Sequence, residues 1–283
     1  MFELESEFVK YAVIGDPVAH SVSPAMQNAG FMAAGLDERY GKYHVKPEEL
    51  PEFVEFARKN LYGFNATVPH KGALIALLDE IAPEALAAGS VNTVIVRDGR
   101  LYGESTDGYG LESALKEAFG LEIAGSKIVI IGAGGAAAAT AFEFVQRKAE
   151  SLTIINRTRS KAEALADSLQ GKHTCVSALG NDQTDAAAQA VAAADVVIQA
   201  TSAGLHKDDS LPLPLEILRN ARAVFDMIYH PTPVQEFAMQ NHIPCADGRA
   251  MLLHQGAKSF SLWTNRPAPL AAMRAALDRA LAK

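Results

Sequence analysis

The chain has 283 residues, long enough for two domains with a sizeable buried core. Its 49% hydrophobic and 21% charged residues are ordinary globular composition and exclude a disordered chain. With 26 Lys and Arg against 33 Asp and Glu, a formal charge of −7, it lacks the basic excess of a nucleic-acid binder.

In chain order, residues 11–15 read as a strand. Residues 24–35 read as a helix with Ser23 as its cap and Pro24 in the first turn. A strand over 38–44, a helix over 47–60 and a short strand over 63–65 follow. Residues 93–97 and 101–104 flank Asp98-Gly99, a hairpin signal. Residues 127–131, 152–156, 196–199 and 223–227 are buried-strand candidates set between Ala-rich helices, of which 186–194 is one. Residues 248–263 and 269–283 read as two helices with no strand between them, and Leu253, Phe260 and Trp263 share an apolar face suited to the core. Strands alternating with helices at this spacing predict the α/β class, with parallel sheet covered on both faces. Two sheet-containing halves join near Tyr109.

The strongest local motif is Gly132-Ala-Gly134-Gly135-Ala-Ala137, which follows the apolar run 128–131 and opens an Ala-rich helix. Its first glycine permits the tight turn, its second lets the backbone approach a pyrophosphate, and the small residue at 137 lets helix and strand pack closely. The helix N-terminus offers free N–H groups to phosphate. An NAD site usually carries an acid about 20 residues further on. Here the next strand ends in Asn156-Arg157-Thr158-Arg159-Ser-Lys161 instead. A guanidinium suits a 2′-phosphate that a carboxylate would repel, so NADP is the expected cofactor.

The first half gathers Ser21-Val-Ser23, Asn65-Ala-Thr67-Val-Pro-His70-Lys71, Ser90-Val-Asn92-Thr93 and Ser105-Thr106-Asp107-Gly108 in loops beyond strands. In an open α/β sheet such loops converge on a ligand. One Lys and one Asp among neutral donors suit a small polyhydroxylated acid. Ser21 and Ser23 can donate to a carboxylate, Asn92 can bridge hydroxyls, and Lys71 with Asp107 can move a proton at a carbonyl or alcohol.

These motifs in this order resemble the shikimate dehydrogenase family over nearly the whole chain, from 12–17 and 20–24 to Gln255-Gly-Ala-Lys-Ser-Phe-Ser-Leu-Trp263. The resemblance implies an NADP(H)-dependent oxidoreductase that reduces 3-dehydroshikimate to shikimate, an early step toward aromatic amino acids. It also implies two α/β domains flanking a cleft: a substrate domain with a mostly parallel sheet, and a Rossmann-type NADP-binding domain. The expected boundaries are 1–108, completed by 249–283, and 109–248. By match, Lys71 and Asp107 are the catalytic pair. Ser21, Ser23 and Thr67 hold the substrate carboxylate with Tyr229 closing over it, and Asn92 and Gln255 bond ring hydroxyls. Gly132, Ala133, Gly134, Gly135 and Ala136 cradle the pyrophosphate. Asn156, Arg157, Thr158 and Lys161 face the 2′-phosphate, and Thr201, Met227 and Gly248 line the nicotinamide end.

The chain departs from the family pattern at Ser105 and Gln199, each in place of Asn, at Ala66 in place of a β-branched residue, and in a shorter stretch after Tyr229. The open alternatives are a quinate/shikimate dehydrogenase, a slow paralogue, and a non-catalytic sensor of ring acid or nucleotide. The intact Lys71 and Asp107 favour the enzyme.

The two cysteines, Cys175 and Cys245, are far apart and lack a Cys-x-x-Cys pattern, so they read as structural thiols in a reducing compartment. No histidine has a metal-site spacing, and no metal is expected. His20 and His70 read as loop-shaping, His206, His230 and His242 as loop or surface residues. The acidic start 1–7 lacks a signal core, and the longest uncharged run, 128–142, is too short and glycine-rich to span a membrane. The expectation is a cytoplasmic monomer or homodimer whose partner is a small-molecule substrate, with neither nucleic acid nor membrane.

Overall fold

A computed structural model describes residues 7–169, 173–204, 209 and 213–282. His206 and residues 1–6 lie outside the described residues. The chain divides into two compact units, one of Met1–Gly110 with Leu252–Lys283, the other of Leu111–Met251.

The first unit is built on strands β1 (Val9–Gly15), β2 (Arg39–His44), β3 (Gly63–Ala66), β4 (Glu80–Ile81), β5 (Thr93–Arg97) and β6 (Arg100–Glu104) in the order β2-β1-β3-β5-β6-β4. Side chains alternate across the sheet, as the two-residue period of a strand requires. Ala12 and Ile14 of β1 face one core with Phe53, Val54 and Ala57 of helix α2 (Leu50–Asn60). Tyr11 and Val13 face the other, with Met26 and Phe31 of α1 (Ser23–Ala33) and with helices α10 (Arg249–Thr264) and α11 (Leu270–Leu281). From α10 come Leu253, Phe260 and Trp263, the apolar face expected from the sequence.

Pairing is parallel at β1–β2, β1–β3 and β4–β6, and antiparallel at β3–β5 and β5–β6. The β5–β6 hairpin turns at Asp98 and Gly99, both at positive φ (51° and 72°), as a type I′ turn requires. Two local expectations need correcting. Ser23 does not cap α1. The helix starts at Ser23 itself, Val22 holds the N-cap position without a side-chain bond, and the Ser23 amide donates to Ser21 Oγ at 3.3 Å. The helix expected over 47–60 opens as a 3-10 turn, Pro47–Glu49, before α2. Pro51 lacks the N–H that an α-helix begun at Pro47 would need there.

The second unit has strands β7 (Lys127–Ile131), β8 (Ser151–Asn156), β9 (Cys175–Gly180), β10 (Val196–Gln199), β11 (Val224–Asp226) and β12 (Cys245–Ala246) in the order β12-β11-β10-β7-β8-β9, all pairs parallel. Read from β9, this is the doubly wound order 3-2-1-4-5-6. Ile128 and Ile130 pack with α5 (Asp107–Phe119), α6 (Gly135–Gln146) and α7 (Arg159–Ser168) through Leu115, Phe144 and Ala162. Val129 and Ile131 face α8 (Thr184–Ala193) and α9 (Pro233–Gln240) through Val191 and Val234. The sheet is therefore covered on both faces, as its unbroken apolar strands require. Among the described residues no helix is long and apolar enough to cross a membrane.

Candidate active site

In the first unit the strand order reverses direction at β1 and β3, and ligands in such sheets sit beyond the strand ends at that point. The loop after β1 carries Ser21 and leads into α1 at Ser23; the loop after β3 carries Thr67 and leads into the short helix α3 (His70–Ala73), which holds Lys71 and is followed along the chain by α4 (Pro83–Ala87). Gly15 is the last residue of β1, and a Cβ there would strike Thr67 Cγ2. The Ser21 loop is tied down by Lys42 of β2, whose Nζ donates to Ala19 O at 2.7 Å. His70 is 1% exposed and donates from Nε2 to Val45 O at 2.7 Å, which fixes the turn before Lys71 and defines that nitrogen as the protonated one. His70 is thus loop-shaping, as its neighbourhood in sequence implies.

Lys71 Nζ lies 2.6 Å from Asp107 Oδ2, with the side chains 33% and 19% exposed. The other carboxylate oxygen, Oδ1, accepts from Asn92 Nδ2 at 2.8 Å. Asn92 Nδ2 also approaches Thr106 Oγ1 (3.0 Å) and Gln255 Oε1 (3.3 Å), while its Oδ1 accepts from the Thr106 amide at 2.8 Å. So Lys71, Asn92, Asp107 and Gln255 are one constellation. Asn92 is 2% exposed and its amide is committed to protein partners, so in this arrangement it aims Asp107 and does not present a free edge to a hydroxyl. The arrangement sets an ammonium beside a carboxylate at a half-open surface, a device for holding a proton near a bound oxygen.

Tyr229 belongs to the second unit, on the loop between β11 and α9. That loop is anchored by Asp226, which is fully buried and accepts from Thr232 Oγ1 (2.5 Å) and the Ile228 amide (3.0 Å). Burial holds the Asp226 carboxyl above the usual carboxylate range, against the opposing pull of these donors. Gly248 packs directly on Met227 O, where no Cβ fits.

In the second unit a cavity of about 550 Å³ lies beyond β7 and β10, the point where strand order reverses. Ala133, Gly134, Gly135, Ala136, Asn156, Arg157, Lys161 and Thr201 line it. Gly132, Thr158, Met227 and Gly248 do not. Gly132 turns the chain beneath it at φ +124°, where a side chain would meet Thr201 and Ala200. Ala200, Ser202, Ala203 and Asp209 are lining residues that the sequence reading missed. Their position after the central strand β10 was the available signal. Gln199, fully buried, shapes this loop by accepting from Thr201 N and Oγ1 (both 3.0 Å) and donating to Ala203 O (3.1 Å).

The cavity fits a dinucleotide phosphate. Apart from the adjoining residues and the helix's own backbone, no heavy atom lies within 4 Å of where a Cβ would stand on Gly134 or Gly135, and α6 opens without a side-chain cap. Its first N–H groups therefore face open space, as anion binding at a helix start requires. Arg157 and Lys161 form no ion pair among the described residues, and β8 ends in Asn156 with no acid after it.

Strand order, glycine turn and cationic loop together define a Rossmann-type dinucleotide-binding protein. Three family models match along the chain: "Shikimate dehydrogenase substrate binding domain" over residues 13–94, "Shikimate / quinate 5-dehydrogenase" over 113–208, and "Shikimate 5'-dehydrogenase C-terminal domain" over 248–277. The NADP(+)-type shikimate dehydrogenase of Symbiobacterium thermophilum is 41% identical over 275 residues, 95% of this chain and 93% of that protein. The crystal structure of Thermus thermophilus shikimate 5-dehydrogenase with NADP(H) and shikimate superposes with a TM-score of 0.85 at 34% identity, covering 96% and 99% of the two chains. Quinate dehydrogenase of Corynebacterium glutamicum with NAD gives 0.83 at 25% identity, covering 96% and 99%. The chain belongs to the shikimate dehydrogenase family.

Proposed function

We propose that this chain catalyses the reversible, NADP-dependent reduction of 3-dehydroshikimate to shikimate. Residues 1–108, completed by 249–283, serve as substrate domain, and residues 109–248 as nucleotide domain. The observation that carries this reading is the Lys71–Asp107 pair at 2.6 Å, with Asn92 on the second carboxylate oxygen. When bound, the nicotinamide supplies or accepts a hydride. Gly134, Gly135 and Ala136 would hold its pyrophosphate, and Arg157 with Lys161 its 2′-phosphate.

Lys71 as an ammonium stabilises negative charge on the reacting oxygen of the substrate and delivers the proton that completes the alcohol. In the reverse direction the neutral amine takes that proton back. Asp107 holds Nζ in place through Oδ2. Ser21, Ser23 and Thr67 bind the carboxylate, which sets the ring's register, and Gln255 and Asn92 adjoin the hydroxyl side. The similarity to a quinate dehydrogenase makes quinate the competing substrate.

Initial rates with shikimate and quinate, each crossed with NADP+ and NAD+, test the reading. Turnover of shikimate with NADP+ well above the other three pairs is expected. Equal turnover of quinate would replace it with a quinate/shikimate dehydrogenase, and ligand binding without turnover would replace it with a sensor.

A further inference from the structure

Behind the Lys71–Asp107 pair, the first unit buries six polar side chains together. Tyr40, Asn65, Asn92, Thr93, Thr106 and Ser259 are all 7% exposed or less, and each is hydrogen-bonded within the cluster. Desolvating so many polar groups is costly even when they are paired, and an apolar core would serve packing as well. The cluster therefore points to a constraint beyond packing.

Its centre is Thr93 Oγ1, which accepts from Asn65 Nδ2 at 2.9 Å and donates to Asn92 Oδ1 at 3.0 Å. Ser259 Oγ lies 2.8 Å from Thr93 Oγ1. Ser259 Oγ also donates to Gln255 O at 3.1 Å, one turn back on α10, and accepts from Asn65 Nδ2 at 3.1 Å, which fixes it beside Thr93. Asn65 is in turn held by Tyr40, whose hydroxyl donates to its Oδ1 at 2.8 Å. The chain of donors thus ends on Asn92 Oδ1.

A carboxamide has two orientations of nearly the same shape, and its donors and acceptors decide between them. With Thr93 and the Thr106 amide both donating to Oδ1, Nδ2 must face Asp107 Oδ1, at 2.8 Å. The reversed amide would set a carbonyl oxygen against a carboxylate and lose two bonds. We propose that Thr93, set by Ser259 and Asn65, is a positioning residue that fixes the Asn92 carboxamide and through it the Asp107 carboxylate that holds Lys71. This inference rests on the catalytic reading of that pair.

Thr93→Val removes the hydroxyl at nearly constant volume, and Thr93→Ser keeps it. For shikimate oxidation with NADP+, T93V is expected to lower kcat about tenfold or more, with KM for shikimate moving less than about threefold. T93S should recover kcat to within about threefold of wild type. In an Asn92→Ala background T93V should cost nothing further, because its effect runs through Asn92.

A second readout needs no turnover. In protein labelled with 15N-asparagine, the Asn92 side-chain NH2, assigned by its absence in N92A, should exchange slowly with solvent in wild type and T93S. In T93V, and in Ser259→Ala as a second variant, exchange should be at least about tenfold faster. Wild-type kcat in T93V, equal losses in both backgrounds, or unchanged exchange in T93V and S259A would each overturn the inference. A wild-type protein that does not oxidise shikimate would sink the functional reading instead, and the exchange rates alone would then decide the role of Thr93.

Discussion

Arg157→Ala should separate the two nicotinamide nucleotides. Arg157 is exposed at the end of β8, lines the cavity and has no acidic partner among the described residues, so its fork is free for an anion. A hydrogen bond to a charged group contributes about 1.5–3 kcal/mol, which corresponds to about 12- to 150-fold in affinity. Exposure to water and salt places this site at the lower end, and Lys161 on the same wall keeps a point charge in place. The expected loss is therefore about 10- to 30-fold in KM for NADP+, with kcat little changed. NAD+, which lacks the 2′-phosphate, should bind R157A as it binds wild type. Calorimetric titration with 2′,5′-ADP and with AMP measures the same difference without turnover, and the gap between them should shrink as salt rises. Equal weakening of both nucleotides would refute the reasoning, because Arg157 would then be shaping the loop and not reading the phosphate.

Lys71→Ala should lower kcat for shikimate by about 10²–10⁴-fold with a small change in KM, and near-normal kcat would remove the residue from the chemistry. Gly63→Ala should destabilise the first unit by about 2–4 kcal/mol, since a Cβ there would strike the Trp263 indole, whose Nε1 donates to Val94 O at 2.9 Å. Trp263 is the chain's single tryptophan, so its fluorescence in a denaturant titration reports that loss directly, and an unshifted midpoint would contradict it. Burial pushes the Cys245 thiol up to about 11, whereas Cys175 is exposed. Because burial disfavours the thiolate, native Cys245 should alkylate at least about tenfold more slowly than Cys175 at pH 8 and gain rate as pH climbs toward its raised value. Peptide mass spectrometry distinguishes the two, and equal rates in the native protein would count against the burial argument.

The elements that sequence alone revealed are those with strong local causes. The run at β7 is apolar at four successive positions because both faces of that strand are buried, and the Asp98-Gly99 turn follows from two residues that tolerate positive φ. β9 escaped notice because it is an edge strand whose residues are mostly half-buried or exposed, which blurs its periodicity. β4 and β12 are two residues each, too short to carry a pattern. In the candidate site the glycine turn was legible from its own residues, whereas Lys71 and Asp107 stood out only jointly with the neighbouring polar loops and the family resemblance, since a lone loop Lys or Asp is ordinary. Ala200, Ser202 and Ala203 were not, since small residues after a strand look like any turn. Nor did Ser23 announce that it would begin α1 instead of capping it, with its amide bonded to Ser21 Oγ two residues earlier.

Element type and turn chemistry were determined by the sequence itself, because side-chain periodicity and backbone sterics act over a few residues. The pairing of remote polar groups was decided only by tertiary structure. Lys71 meets Asp107 across 36 residues, and Thr93 meets Ser259 across 166. Those meetings depend on which strands lie side by side and on where α10 returns, and burial of the whole apolar surface sets both. Only then does a threonine in a strand become the group that orients the amide behind the Lys71–Asp107 pair.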